Sequence, residues 1–333
     1  MPPEAMGDAE GRSIEVARGG PEILRGLDPA AADFARASKA PNTALAYGKA
    51  WRAFVAWCAG RGEAPMPSSP ESVANFLAAM ATAGRKPATL QVYAAAIRQA
   101  HMLAGAPAPT SDPKVLAVMS GIRRTLGVAP GAKDAMLADP IVEFCATLPP
   151  SLQGARDRAM ILVGFAGGFR RSELVAVRVE HLSFVGHGAA SAVVVSLPRS
   201  KTDQEGAGLE KVIHATGTPT CPVAALRAWL SAASISSGHV FRPCRGDALG
   251  ADRPLGPERV AELVKRAASR CGLDPSRFAG HSLRAGCVTQ AAEADVPLQD
   301  IMEVTGHRKA ETVIGYIRRA GARRARVTSR LGI

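Results

Sequence analysis

The stretch AVVVSLPRSKTDQEGAGLEKVIH, residues 192–214, decides the fold class. Its first six residues are apolar except for Ser196 and include three β-branched valines, a long polar run with one proline and two glycines follows, and KVIH resumes the apolar pattern. The stretch predicts a β-hairpin with strands over 192–197 and 211–214 and a long polar tip. On both sides the period changes to that of helices. Upstream, Asp139-Pro140 opens a helix, 155–167 reads as a buried one and 171–177 as another. Downstream, 222–233 and 257–271 are helical, the second stopped by Gly272, and the chain from His281 again favours helices. The segment from 136 to the end is therefore expected to be a mixed helical domain around one small hairpin, mainly α with a minor β part.

Farther toward the N-terminus the pattern is helical throughout. Tyr47, Trp51, Phe54 and Cys58 recur at steps of four, three and four, which places them on one helix face. Ser69-Pro70 and Asp112-Pro113 each pair an N-cap residue with a first-turn proline. The helices they open bury Val73, Phe76, Leu77 and Met80, and Val115, Met119, Ile122 and Leu126. Between them a helix after Pro87 buries Leu90, Tyr93 and Ile97, with Gln91 and Arg98 left beside the opposite face. Residues 33–126 thus predict a small all-helical bundle. Residues 1–32 lack a sustained apolar period and are expected to be a flexible leader, and 127–135, GVAPGAKDA, an interdomain linker.

Composition narrows the classes of function. The 333 residues carry 41 Lys and Arg against 29 Asp and Glu, a formal charge of +12, which favours a polyanionic partner, nucleic acid before an acidic membrane surface. The longest apolar run, 159–169, is 11 residues and contains glycines, well short of the roughly 18 to 20 needed to cross a bilayer. The N-terminus is acidic and proline-bearing where a secretory signal is basic and then apolar, so a cytoplasmic protein is expected. Six cysteines lie far apart with no CxxC pair, and no metal or other cofactor is expected.

Five segments carry chemistry: GGFRRSEL (167–174), RSKTD (199–203), GHSLRAG (280–286), TGH (305–307) and VIGYIRR (313–319). A basic protein without a metal site, if it cut DNA, would have to supply a nucleophile, a proton for the leaving oxygen and positive charge for the phosphate, all from side chains. Arg170 and Arg284 are planar, permanently charged forks suited to two phosphate oxygens. Lys201, in the hairpin tip, is a flexible proton donor. Its rival, Lys211, opens the partner strand outside the RSKT setting. His281 begins the helix carrying Arg284 three residues on, and the two share a face. His307 follows Gly306 at an expected helix start. Tyr316 is the candidate nucleophile, since Tyr47 and Tyr93 lie on apolar faces. Glu173, one turn after Arg170, either orients it by an ion pair or is a surface acid.

Taken in order, Arg170, Lys201, His281, Arg284, His307 and Tyr316 resemble the catalytic set of the tyrosine recombinases, or phage integrases, including the nine-residue step from His307 to Tyr316. The resemblance covers most of 136–320 through motifs and 41–126 through the helical pattern alone. It implies a DNA breaking-rejoining catalytic domain over 136–333, preceded by a four- to five-helix, SAM-like bundle that binds the core DNA site. It further implies a 3′-phosphotyrosine intermediate and a Holliday junction made by a homotetramer on double-stranded DNA with inverted-repeat core sites, without metal or ATP. The two domains are expected to clamp the duplex in a Cre-like, core-site-only architecture. The alternatives are a type IB topoisomerase-like relaxing enzyme and a catalytically silent DNA-binding regulator. The basic tail after Tyr316, with arginines at 318, 319, 323, 324, 326 and 330, reads either as a helix docking on a neighbouring protomer or as a DNA-backbone contact.

Overall fold

A computed structural model describes residues 27–127, 133–198 and 208–319. Lys201, the hairpin tip, most of the leader and the tail beyond Arg319 lie outside the described residues. The chain divides into two compact units at Gly131/Ala132.

The first unit is helical: α1 (Pro29–Ala37), α2 (Pro41–Ala59), α3 (Pro70–Thr82), α4 (Pro87–Leu103) and α5 (Pro113–Leu126). The two cap signals act as the sequence suggests. The Ser69 hydroxyl accepts from the Ser72 amide at 3.1 Å and the Asp112 carboxylate from the Lys114 amide at 2.8 Å. The core gathers Trp51, Phe54, Cys58, Val73, Phe76, Leu77, Leu90, Ile97, Val115 and Met119. Phe76 stands at its centre, edge-on to Phe54 and Trp57 and stacked on Tyr93 with centroids 5.5 Å apart. Leu126, expected on the inner face of α5, is half exposed. It is the last residue before Gly127 leaves the helix at φ 71°, so no turn of this helix follows to cover it.

The second unit is built on α7 (Leu152–Ala166), buried through its middle and flanked by α6 (Ala138–Ala146), α9 (Pro222–Ala232), α10 (Glu258–Arg270) and α11 (Ser282–Glu293). A Cβ on Gly164 of α7 would meet Leu174 Cδ2 at 2.8 Å and Leu283 Cδ1 at 3.1 Å, so the glycine sets how closely these elements approach. Asp157 of α7 is buried between Arg156 and Arg266, tying α7 to α10. Arg266 is thereby part of a structural ion-pair network. The short α8 (Arg171–Ala176) leads into an antiparallel sheet of β1 (Leu182–Val185), β2 (Ala192–Leu197) and β3 (Leu209–His214) in the order β1-β2-β3. The hairpin is as expected, but β3 starts two residues earlier than the pattern suggested and β1 is an addition. Pairing runs Val195 to Lys211 and Val193 to Ile213. Two-residue strands β4 (Cys244–Arg245) and β5 (Ala248–Leu249) pair with each other. The unit ends with α12 (Leu298–Thr305) and α13 (Ala310–Arg319). Residues 133–135, the end of the expected linker, and Met136 after them hold to this unit: Asp134 donates its amide to Arg277 O and its carboxylate pairs with the Arg277 guanidinium, and the Met136 amide donates to Ser282 O.

No described helix is long and apolar enough to cross a membrane. Replacing Phe76 by Ala removes a fully buried ring from the first core, and denaturant unfolding is expected to show a loss of about 3–5 kcal/mol in that unit.

Candidate functional site

Two helix ends and two helix starts meet beneath β3. Helix α7 ends at Ala166 and the chain turns through Gly167 and Gly168 into Arg170, the N-cap of α8. Gly168 adopts φ +53°, and a Cβ there would lie 2.7 Å from Thr305 Cγ2. Glycine therefore lets this turn pass against the end of α12.

Arg170 is buried, and its guanidinium pairs with Glu173 one turn on. The other Glu173 oxygen accepts the Arg170 backbone amide at 3.0 Å. One carboxylate, 5% exposed, thus both caps α8 and aims the arginine, which settles the two readings of Glu173 in favour of the ion pair.

Arg284, on α11, is 2% exposed. Its Nη1 donates to Gly168 O at 2.8 Å and to Thr305 O, while its Nη2 is buried without a hydrogen-bond partner. Burial, then the positive charge of Arg170, lowers its pKa to about 10, so it remains charged at neutral pH. A buried guanidinium with one arm unused is aimed at a ligand oxygen.

His307 follows Gly306, which ends α12 in the left-handed conformation at φ 66°. The histidine is therefore placed by a helix C-terminus and not, as the sequence suggested, by a helix start, since α13 begins only at Ala310. Its Nδ1 lies 2.7 Å from Thr305 Oγ1, and that hydroxyl donates to Ile301 O. With the hydroxyl proton committed, Nδ1 carries the ring proton and Nε2 keeps its lone pair. Burial, followed by Arg284, Arg170 and Lys211, lowers the His307 pKa to about 3, so the ring is neutral.

Tyr316 is half-buried on α13, its ring centroid 6.0 Å from that of His307, and it lies near enough to Arg284 to act on that side chain's charge. The helix packs on a small core of Val288, Ala292, Ile301 and Val313. His281 is the exposed N-cap residue of α11. Of the six residues singled out from the sequence, Arg170, Arg284, His307 and Tyr316 stand together. His281 lies at the head of the helix that carries Arg284, and Lys201 lies outside the described residues.

Lys211, which the sequence offered only as the rival of Lys201, is fully buried on β3. Its Nζ donates to Gly167 O at 2.9 Å and to Val304 O, 5.1 Å from the centre of the Phe169 ring. The signal was in the strand pattern: Leu209, Lys211 and Ile213 share the inner face, where alternation calls for an apolar residue.

The arrangement is a cationic floor whose carboxylate, Glu173, is already engaged, with a neutral imidazole and a phenol beside it. It suits an anion with several oxygens and a reaction in which negative charge grows. Among the described residues no group of three His, Cys, Asp or Glu side chains stands together as a metal site.

Residues 135–323 match the model of the phage integrase family. The chain is 37% identical over 285 residues to an integrase/recombinase xerD homolog of Selenomonas ruminantium, covering 84% of this chain and 82% of that protein. Among solved structures it resembles a XerH site-specific recombinase bound to a palindromic difH substrate, with a TM-score of 0.66 at 15% identity over 96% of this chain and 94% of that one. It also resembles a lambda integrase tetramer bound to a Holliday junction, with a TM-score of 0.54 at 16% identity over 93% and 76%.

Removing the carboxylate of Glu173 as Glu173→Gln leaves the Arg170 charge buried and unpaired. The stability of the second unit is expected to fall by about 3 kcal/mol in denaturant unfolding.

Proposed function

Since the chain belongs to the phage integrase family of tyrosine-type site-specific DNA recombinases, we propose that Arg170, Lys201, His281, Arg284, His307 and Tyr316 carry its strand cleavage and rejoining. The observation that carries this reading is the buried, unpartnered Nη2 of Arg284, beside Arg170 and in electrostatic reach of Tyr316.

The scissile phosphate sits on the Arg170 and Arg284 guanidiniums, and Tyr316 Oη attacks phosphorus. The P–O5′ bond breaks, leaving a 3′-phosphotyrosine and a 5′-hydroxyl. The tyrosine proton passes to an imidazole. His281 is the candidate to take it: a His307 ring held at about 3 is too weak a base to keep a proton, and its Nε2 lone pair serves to accept a hydrogen bond. Lys201 protonates the departing 5′-oxygen. Charge on the pentacoordinate phosphorus rests on the two arginines, which are held before the substrate arrives and so need no reorganisation. The ester keeps the bond energy, and a 5′-hydroxyl from another strand reverses the steps to religate.

The bundle over 33–126 serves as the core-DNA-binding domain and 136–333 as the catalytic domain, and both act on a duplex that carries inverted-repeat core sites. A homotetramer exchanges strands in two rounds through a Holliday junction, an assembly that the resemblance to the lambda integrase tetramer supports. The reaction takes place in the cytoplasm. The topoisomerase and silent-regulator alternatives are not favoured, because the relatives are recombinases and integrases.

Tyr316→Phe is expected to abolish covalent trapping on a nicked suicide duplex, selected for binding from a random pool, while salt-sensitive binding persists. Trapping that persists in this variant would sink the nucleophile assignment. Trapping by the unaltered chain is expected to be the same with EDTA as with magnesium, and a strict magnesium requirement would contradict a side-chain-only mechanism.

A further inference from the structure

The steps above give Lys211 no role, although it is buried completely at the centre of the site. Its ammonium bridges two turns. Gly167, whose carbonyl it holds at 2.9 Å, lies three residues before Arg170, and Val304, its other acceptor, lies three residues before His307. The charged and titratable groups facing it come from several elements: Arg170 and Glu173 from the start of α8, Arg284 and Cys287 from α11, and His307 from the turn after α12. On its own strand its inner-face neighbours are Leu209 and Ile213, and its cross-strand partner is Val195.

Building on the cleavage reading, we propose that Lys211 is a positioning residue that fixes the Arg170 turn to the His307 turn, and that its protonation is coupled to occupation of the site by a DNA phosphate. An ammonium and a neutral amine can each donate to two carbonyl oxygens, so the bridge survives deprotonation while the charge of the floor changes. With the site empty, burial is the largest cause lowering the Lys211 pKa, to about 7, and the two neighbouring arginines add to it. An anion on Arg284 Nη2 supplies the missing negative charge and draws a proton onto Lys211.

Its neighbours do not compete near pH 8. His307 is held down at about 3, Arg284 at about 10 keeps its proton, and burial raises the Cys287 thiol above its ordinary value. The sign follows. A pKa that rises on binding means protons are taken up between the free and bound values, and DNA affinity falls as pH rises through that window.

The test counts protons. Titration calorimetry with the selected duplex, near pH 8 in two buffers of different ionisation enthalpy, is run on the Tyr316→Phe chain so that strands stay uncut. An uptake of about half a proton or more is expected with lysine at 211, and almost none with Lys211→Met or Lys211→Arg added. In chains that keep Tyr316, Lys211→Met is expected to slow single-turnover cleavage about 100-fold with affinity within about threefold, and Lys211→Arg to recover the rate to within about tenfold. Unchanged proton uptake in Lys211→Met overturns the proposal, as does a folded Lys211→Met chain that cleaves at the unaltered rate. Should Lys211→Met lose its cooperative melt, Lys211→Arg decides, since an arginine has no proton to gain near pH 8 and equal uptake there is fatal. A chain with Lys211 and Tyr316 intact that forms no covalent adduct refutes the cleavage reading instead, and the proton count still decides the coupling.

Discussion

Lys211 and Arg284 hold their cationic groups out of water on the carbonyl oxygens of Gly167 and Val304, and of Gly168 and Thr305. A carbonyl that no backbone amide has claimed is the most open to a side chain, and such carbonyls occur in the last turn of a helix and in the residues that follow it. Gly167 and Gly168 directly follow α7, and Val304 and Thr305 close α12. The negative ends of two helices are therefore turned onto the same pair of cations, each adding attraction of about 0.3–1 kcal/mol or somewhat more where partly buried. Both helices must end beside β3 for this to work. The left-handed glycines Gly168 and Gly306 end them there, and in each case a neighbouring side chain would collide with a Cβ. The fold of the second unit is in this sense a device for stopping two helices in the same place.

The arrangement is deliberately short of negative charge. Glu173 balances Arg170, and carbonyl dipoles solvate Lys211 and Arg284 without neutralising them. Burial, reinforced by that deficit, accounts for three perturbations at once. Lys211 gives up its proton easily, Arg284 has its pKa lowered, and His307 stays neutral well into acid, each with burial as the first cause and the other cations as a further one. A structural ion-pair network behaves differently. Around Asp157 the carboxylate is shared between Arg156 and Arg266, and every arm that reaches it finds negative charge. At the site one arm of Arg284 finds none, so an anion completes the site and is not merely tolerated by it.

Much of this was legible in the sequence, and the misses share a cause. Arg170 and Arg284 could be picked out because they stand inside motifs, and Glu173 because a carboxylate three residues into a helix can fold back on its cap. Lys211 was named only as the rival of Lys201 and set aside, and the choice of strand boundary hid its burial. Started at 211, the strand shows a lysine at a solvated end, whereas started at Leu209 it shows Lys211 between two inward apolar residues. The polar tip hid two residues of ladder, because Leu209 and Glu210 pair with Leu197 and Ser196 on grounds of register, which composition does not reveal. His307 was assigned to the wrong end of a helix for a similar reason. A glycine can precede a helix or finish one, and only its positive φ decides. Strand β1 is four residues of alternating burial ended by Gly186, too short for periodicity to register.

The distribution of packing separates the floor from the nucleophile. Arg170 and Arg284 stand on elements whose apolar residues, among them Leu174 and Leu283, belong to the large core of the second unit. Tyr316 is on a helix whose buried contacts form a separate cluster of Val288, Ala292, Ile301 and Val313. Displacing α13 exposes only that small cluster, whereas displacing either arginine opens the main core, so local opening of α13 is the less costly of the two. Helix α11 belongs to both: Leu283 faces the large core and Val288 and Ala292 the small one, with Arg284 between. It is therefore the element through which the position of the tyrosine is referred to the fixed charges, and its tight seat depends on Gly286, where a Cβ would lie 1.8 Å from Met136 O. The backbone of 133–136 is held to the same region by the Met136 amide on Ser282 O, so the segment that enters the second unit bears directly on the helix that positions the chemistry.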